Sequence, residues 1–574
     1  MTGRPHASRL CAVLCSASAA VVICLPAPAA FAQAWNPAGG GGVAREELAP
    51  PAAYQERSRG VIREELDPVL AADGSGLPHE LWSGLSAEAF AQAIAALELP
   101  PRSPALHALW RRLIGSDTVP ATGADSARFT ALRVEALDQS GLIDEVAAVL
   151  ARDPAADSDP LLLALTARSE IGLGNMERGC EIGRSLLPRQ SDLPKPIQAD
   201  LILINGYCAA SRGDTAAAAI QAGLMRELDL GGAGADLLDA VAGGLKPEIP
   251  AGTKLSLLDY RIAALGGAPD REKLITAASP ALLTGLAHDP RVAPDVRLAA
   301  GEAAVKLNAL PVQDLAPLYR AEGAGGDAGT IERAGLFKSV EREQTPLQKS
   351  RLIRAFLDEA RGAGLYWPAL QLMAAPTQAL EPAPEIGWFA ETGVEINLAA
   401  GNYEAARRWA AFIDAPYTAN RPADPLAHWV ALADIADPAV TSGFGRSLAA
   451  VEALALHGRF DPAVLHRLVT VLDALDIPVP MGLWDLAGRS PQPAGGHLPD
   501  TGVLSELAEA SQKKQFGRTV LLVMRTIGPQ GAEGAHMIAL GDALRALQRA
   551  GLGAEARQLA LEGLLGAWPR AVSQ

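Results

Sequence analysis

Along most of this chain, apolar residues recur at intervals of three and four positions, the spacing that gathers them on one face of an α-helix. Ser86 to Leu97 is an example: it has the apolar spacing of an amphipathic helix, Ser86 offers an N-cap, and Glu88 falls in the first turn. Pro100, Pro101 and Pro104 separate it from a second expected helix, Ala105 to Ile114. After residue 125 a pattern repeats. A helical run ends in a small turn containing Gly, and an Ala-rich helix follows at once. The turns read Ser140-Gly141-Leu142, Leu173-Gly174-Asn175, Arg212-Gly213-Asp214, Ala363-Gly364-Leu365, Ala400-Gly401-Asn402 and Leu552-Gly553-Ala554. Gly141 to Gly174, Gly174 to Gly213, and Gly364 to Gly401 are 33, 39 and 37 residues apart, periods of helix–turn–helix arrays. Residues 245–345 keep helical spacing between breaks at Pro247, Pro250, Pro280, Pro290 and Pro294, with a helix expected over Asp295 to Lys306 and a hinge over Gly323 to Gly329. A last helical block runs from Pro376 to Trp568, interrupted by a loop over Arg489 to Gly496. The expected fold is all-α, an α-solenoid of stacked helical hairpins, irregular in places. Its expected divisions are an N-terminal helical segment over 61–118, a repeat array over 125–375, and a C-terminal block over 376–574 with a loop near 489–500.

Composition supports this picture. Ala and Leu dominate, aromatic residues are only 5%, and Val, Ile, Thr and Tyr are too sparse for a large sheet. The 56 glycines and 42 prolines then act as punctuation between many short helices. The first residues carry a different signal. Arg4 and Arg9 precede an apolar run from Leu10 to Leu25, and Ala30-Phe31-Ala32 matches a small-x-small cleavage site. That order predicts a secretory signal peptide over 1–32, removed after Ala32. The run of about 16 residues is short of the roughly 20 that span a bilayer, so no membrane span is expected after cleavage. Residues 33–60, with Gly39-Gly40-Gly41-Gly42, read as a disordered leader. Val43-Ala44-Arg45-Glu46-Glu47-Leu48 is echoed by Val61-Ile62-Arg63-Glu64-Glu65-Leu66. The formal charge of −15 becomes −17 once Arg4 and Arg9 leave, which argues against nucleic-acid binding. Of five cysteines, Cys180 and Cys208 survive cleavage. An even pair in an oxidising compartment reads as one disulfide.

Gly213-Asp214-Thr215-Ala216-Ala217-Ala218 resembles the turn of a tetratricopeptide repeat, in which Gly ends helix A and Ala five residues later lets helix B approach. Gly206 falls on the small position of helix A, and Gly401-Asn402-Tyr403-Glu404-Ala405-Ala406 resembles the same turn. The early bulky aromatic of helix A is absent and Tyr207 is out of register, so the array is tetratricopeptide-like or Sel1-like. Leu77-Pro78-His79-Glu80-Leu81-Trp82 and the stretch Pro101 to Trp110 are also similar to exported alphaproteobacterial proteins labelled antifreeze-glycopeptide-like. The repeat resemblance implies that Cys180, on helix B of one unit, lies beside Cys208, near the end of the next helix A. It also implies that helix A residues line a concave face, which makes Asn205 and Asn397 candidate binding residues.

Motifs for chemistry are weak. His79-Glu80 lacks the second His of a zinc-protease helix; His457 and His466 flank a turn. Asp153, Asp157 and Asp159 lack the mid-loop Gly and distal Glu of a calcium loop and read better as helix caps. Gly231-Gly232-Ala233-Gly234 has no strand before it. Ser447 sits in no nucleophile elbow. Ser505-Glu506 reverses the order expected in lytic transglycosylases, and Thr is too sparse for an ice-binding array. No catalytic residue, metal ligand set or cofactor is expected. Helical-hairpin arrays usually bind peptides or proteins. The expectation is therefore a periplasmic or secreted, non-enzymatic scaffold or adaptor for an envelope protein or peptide. The alternative is an envelope glycan-binding protein or hydrolase with a site assembled from dispersed carboxylates.

Overall fold

The computed structural model describes residues 76–119, 121, 126–230, 232–321, 327–412 and 426–570. The expected signal peptide, leader and echoed hexapeptide lie outside the described residues, as does most of the Gly323–Gly329 hinge. All described residues belong to one compact unit, Pro68–Gln574. Among them the chain forms 29 α-helices and three short 3-10 helices, with two isolated β-bridges and no strand. The fold is all-α. No described helix is long and apolar enough to cross a membrane.

Local chemistry explains where these helices start. Ser86 caps Ala87–Ala95, its hydroxyl accepting from the Ala89 N–H at 3.1 Å. Asp159 caps Pro160–Leu173 by accepting from Leu161 and Leu162 N–H at 2.9 and 3.2 Å, the role expected of that Asp cluster. Asp327 does the same for Ala328–Arg342 through Thr330 N–H at 2.7 Å. Gly329 therefore belongs to a helix and not to a hinge. Pro104, Pro160, Pro280, Pro294, Pro346 and Pro462 each open a helix, where a fixed φ fits and the missing N–H is not needed. Pro104 is thus the first residue of its helix, Pro104–Gly115, and not part of the separator.

The expected turns are built on left-handed glycines. Gly141, Gly174, Gly213, Gly364 and Gly401 all have φ between 70° and 88°. At the last turn the left-handed residue is Gly551, with φ 82°, while Gly553 begins Gly553–Leu565. Each turn joins helices packed as a hairpin, such as Pro160–Leu173 with Met176–Ser185, Lys195–Ser211 with Thr215–Glu227, and Ala390–Ala399 with Tyr403–Ala410. Ala218 and Ala406, five residues after their turn glycines, are fully buried. Gly206 lies against Leu238 and Gln221 of the two following helices, where a Cβ would collide. Cys180 and Cys208 sit within bonding distance, with Cα atoms 5.8 Å apart, on helices that pack side by side. Between them Gly183 admits the methyl of Ile204 at 2.8 Å from its would-be Cβ.

Three features depart from the expected layout. Helix Ala374–Gln378 spans the expected boundary at 375 and 376. The loop after Arg489 runs to 502 and is pinned in the middle: His497 N–H donates to Gly534 O at 2.8 Å and His536 N–H to His497 O at 2.9 Å. Most consequentially, the first described helices return onto the last. Ala87–Ala95 and Pro104–Gly115 pack on Phe516–Ile527, and Pro104–Gly115 also packs on Gly553–Leu565. Gly517 N–H donates to Leu81 O at 3.0 Å, and Asn308 Nδ2 donates to Pro101 and Arg102 carbonyls at 3.0 and 2.8 Å. Segment 77–115 therefore joins the middle and the end of the described chain.

Candidate functional site

An open cleft of about 470 Å³ lies between Pro294–Lys306, the first turns of Ala328–Arg342, and the end of Pro346–Gly362. Five of its lining residues are small, Ala299, Ala303, Gly329, Gly362 and Ala363, and Ile275 is its one large apolar residue. Lys306, Asp327 and Glu359 place both signs of charge around it, and Glu302 and Arg333 contribute to its lining.

Glu302 and Arg333 are each only 5% exposed. Isolated charges there would be prohibitively expensive, so the pair must be nearly saturated. Arg333 Nε donates to Glu302 Oε1 at 2.9 Å and Nη2 to Oε2 at 2.5 Å, a bidentate fork. The Tyr319 hydroxyl donates to Oε1 at 2.9 Å, and Thr330 Oγ1 to Oε2 at 3.3 Å. Burial, then the Glu302 charge, push the Tyr319 hydroxyl well above its ordinary range. Burial pulls Arg333 down, but its hydrogen bonds to Glu302, the Glu302 charge and Tyr319 together outweigh that and raise it. Asp327 is held low, first by the Thr330 backbone N–H and then by the Thr330 hydroxyl. One donor remains. Arg333 Nη1 donates to no acceptor among the described residues; it lies beside Gly329, whose would-be Cβ would stand 3.1 Å from it.

Three other polar groupings look different. Arg168 Nη1 meets Glu135 Oε1 at 2.8 Å and Asp200 Oδ2 at 2.9 Å, beside Asp138. Burial pushes the Asp138 and Asp200 carboxyls up against the pull of Arg168. The adjoining cavity, about 70 Å³, is much smaller than the cleft beside Arg333. Near the C-terminal end, Arg570 pairs with Glu395 and lies over the Trp429 ring at 5.2 Å, while the Tyr366 hydroxyl donates to Glu395 Oε2 at 2.8 Å. This group, with buried Trp568, docks residues 568–570 onto the helices beneath. A narrower cavity of about 160 Å³ lies on the seam between residues 96–106 and 497–531, where Arg525 pairs with Asp500 at 2.7 Å.

The sequence-derived candidates are dispersed. Asn397 is 1% exposed, on Ala390–Ala399, and its Nδ2 donates to Gly393 O at 2.7 Å. It faces the core and not an open concave surface, because its helix is enclosed on several sides. Asn205 is half-buried, donating to Leu201 O at 2.8 Å, with Oδ1 3.7 Å from the would-be Cβ of Gly183. It packs in the same interface as the Cys180–Cys208 bond. His457 Nδ1 donates to Ala453 O at 2.6 Å, and buried His466 donates to Ser490 O at 3.2 Å, pinning the start of the long loop. Ser447 is buried and donates to Asp434 at 2.8 Å. Glu506 is exposed and pairs with Arg518 at 3.7 Å. Among the described residues no three His, Cys, Asp or Glu side chains are grouped to hold a metal. The Glu302–Arg333 pair was not singled out from sequence. Its members are 31 residues apart on different helices, each a charge on the buried face of its helix, Glu302 between Leu298 and Val305 and Arg333 one turn before Phe337. Comparison of the chain with known protein families, with curated proteins and with solved structures returned no match.

Proposed function

We propose that this protein is an exported, non-enzymatic scaffold or adaptor that holds a protein or peptide of the cell envelope on a surface of tetratricopeptide-like hairpins. The observation that carries this reading is the cleft of about 470 Å³ between helical hairpins, floored by small residues and bordered by charges of both signs. Small side chains let an extended backbone approach, and a border of mixed charge suits polar peptide groups better than an apolar ligand. Export is supported by the arrangement of residues 1–32 and by the juxtaposed cysteines. The test uses the mature chain as bait on envelope fractions, with cross-linking in living cells. A specific protein or peptide captured by the wild type, and lost when Ala303→Trp fills the cleft, is the expected result. Recovery of no specific partner would count against the reading. N-terminal sequencing of the exported chain is expected to begin at Gln33.

A further inference from the structure

We propose that the cleft binds a short zwitterionic peptide, with its free carboxylate on Arg333 and its free ammonium toward Glu359. The inference rests on the peptide-binding reading above and narrows it. Arg333 is 5% exposed, yet Nη1 has no acceptor among the described residues. It cannot recruit Glu302 for this purpose. Both oxygens of Glu302 are engaged by Nε, Nη2, Tyr319 and Thr330, which also fix the guanidinium plane. A rigid, charged donor left at the edge of a cavity favours an anionic acceptor, and a planar carboxylate suits a guanidinium.

The cleft is also polarised. One wall is the N-terminal turn of the 15-residue helix Ala328–Arg342; the other is the C-terminal turn of the 17-residue helix Pro346–Gly362. The first favours negative charge and the second positive. Glu359, on the second wall, makes no ion pair among the described residues and is placed to receive an ammonium. The small walls leave room for backbone but supply no deep apolar pocket. The volume, near the low end of ligand sites at roughly 300–1,000 Å³, favours two or three small residues.

The test is calorimetry on the mature protein with Ala-Ala, N-acetyl-Ala-Ala and Ala-Ala amide. Saturable binding of Ala-Ala, weakened about tenfold or more by blocking either end, is expected. Ala303→Trp, which leaves the ion pair untouched, should abolish it. Glu359→Gln should weaken Ala-Ala but not N-acetyl-Ala-Ala. No saturable heat with Ala-Ala, equal binding of all three probes, or unchanged binding by a folded Ala303→Trp protein each overturns the proposal. Capture of an envelope partner without Ala-Ala binding overturns this site and leaves the adaptor reading standing. Ala-Ala binding without any captured partner supports the site and counts against the adaptor.

Discussion

Glu302 and Arg333 show what burial demands of a charge. Each is hidden from solvent, and each is tolerated because the other is there, with Tyr319 and Thr330 satisfying the remaining carboxylate lone pairs. Glu302→Gln would leave Arg333 as an uncompensated buried cation. A loss of about 3–5 kcal/mol is expected, read as a lower urea midpoint, whereas Tyr319→Phe removes one hydrogen bond and should cost about 1 kcal/mol. Near-equal midpoints for the two variants would show that the pair is hydrated. The cysteines make a second case at this scale. Their bond closes a loop across a sequence separation of 28; its loss should cost about 3 kcal/mol by the chain-entropy account. Cys180→Ala with Cys208→Ala, compared with wild type in oxidising buffer, measures it, and unreduced wild type should show no reactive thiol. The two cases differ in legibility. The cysteine pairing was legible because only two cysteines outlast the expected cleavage, and the tetratricopeptide-like resemblance implies that their helices lie side by side. The ion pair was missed although each charge stands on the apolar face of its helix, since no local pattern shows which distant helix brings its partner.

At the scale of elements, capping and turn chemistry were readable because both are local. Ser86, Asp159 and the left-handed glycines act within a few residues of where their pattern appears. Gly174 is the sharpest example. Its φ is 88°, its N–H closes onto Ile171 O at 2.9 Å, and the Arg291 guanidinium covers the space a Cβ would take. Gly174→Ala should cost about 1–2 kcal/mol from the left-handed backbone, plus displacement of Arg291, measured by thermal or urea unfolding. Gly213→Ala, with a similar φ of 79° and open space at its would-be Cβ, separates the two contributions. What sequence did not disclose is which side chains meet the last carbonyls of the helices. The last carbonyls of Pro160–Leu173 are met by Arg261, donating to Gly172 O at 3.0 Å, and by Arg291, donating to Leu173 O at 3.2 Å. Arg467 takes the carbonyls of Glu533, Ala535 and Gly563 at 2.8–3.0 Å, and Arg557 those of Ile435 and Val440 at 2.8 and 3.1 Å. These arginines lie far along the chain from the ends they complete, so no local pattern marks them. The same reason hid the role of the loop after Arg489, whose anchor at residues 534–536 comes from another element.

Across the whole described chain, the decisive contact is the return of Pro104–Gly115 onto Gly553–Leu565. A linear stack frays from its ends, because each unit contacts only its neighbours. Here the end helices cover each other. Arg112 pairs with Glu555, Ser103 Oγ donates to Glu562 Oε2 at 2.5 Å, and Ala105 N–H donates to Oε1 at 2.6 Å. Glu562 thereby caps a helix from across the interface. Burial nonetheless pushes its carboxyl up to about 7 from an ordinary 4.5, outweighing the pull of Ser103 and Ala105. Because the folded value is raised, the folded chain holds this proton more tightly than the unfolded chain. Its contribution is fully present below pH 4.5 and is lost as pH rises through 7. Relative to Glu562→Gln, wild type should lose about 3 kcal/mol over that window and then level off. Urea midpoints from pH 4 to 9 read this directly, and parallel profiles for the two proteins would refute it. Hydrogen exchange at pH 5 and pH 8 then asks whether the closure couples the ends. Exchange in Pro104–Gly115 and Gly553–Leu565 should accelerate together at the higher pH in wild type, beyond the intrinsic rise, and not in Glu562→Gln. Acceleration confined to Pro104–Gly115 would mean that the first helices detach alone, leaving an array that still behaves as an open stack.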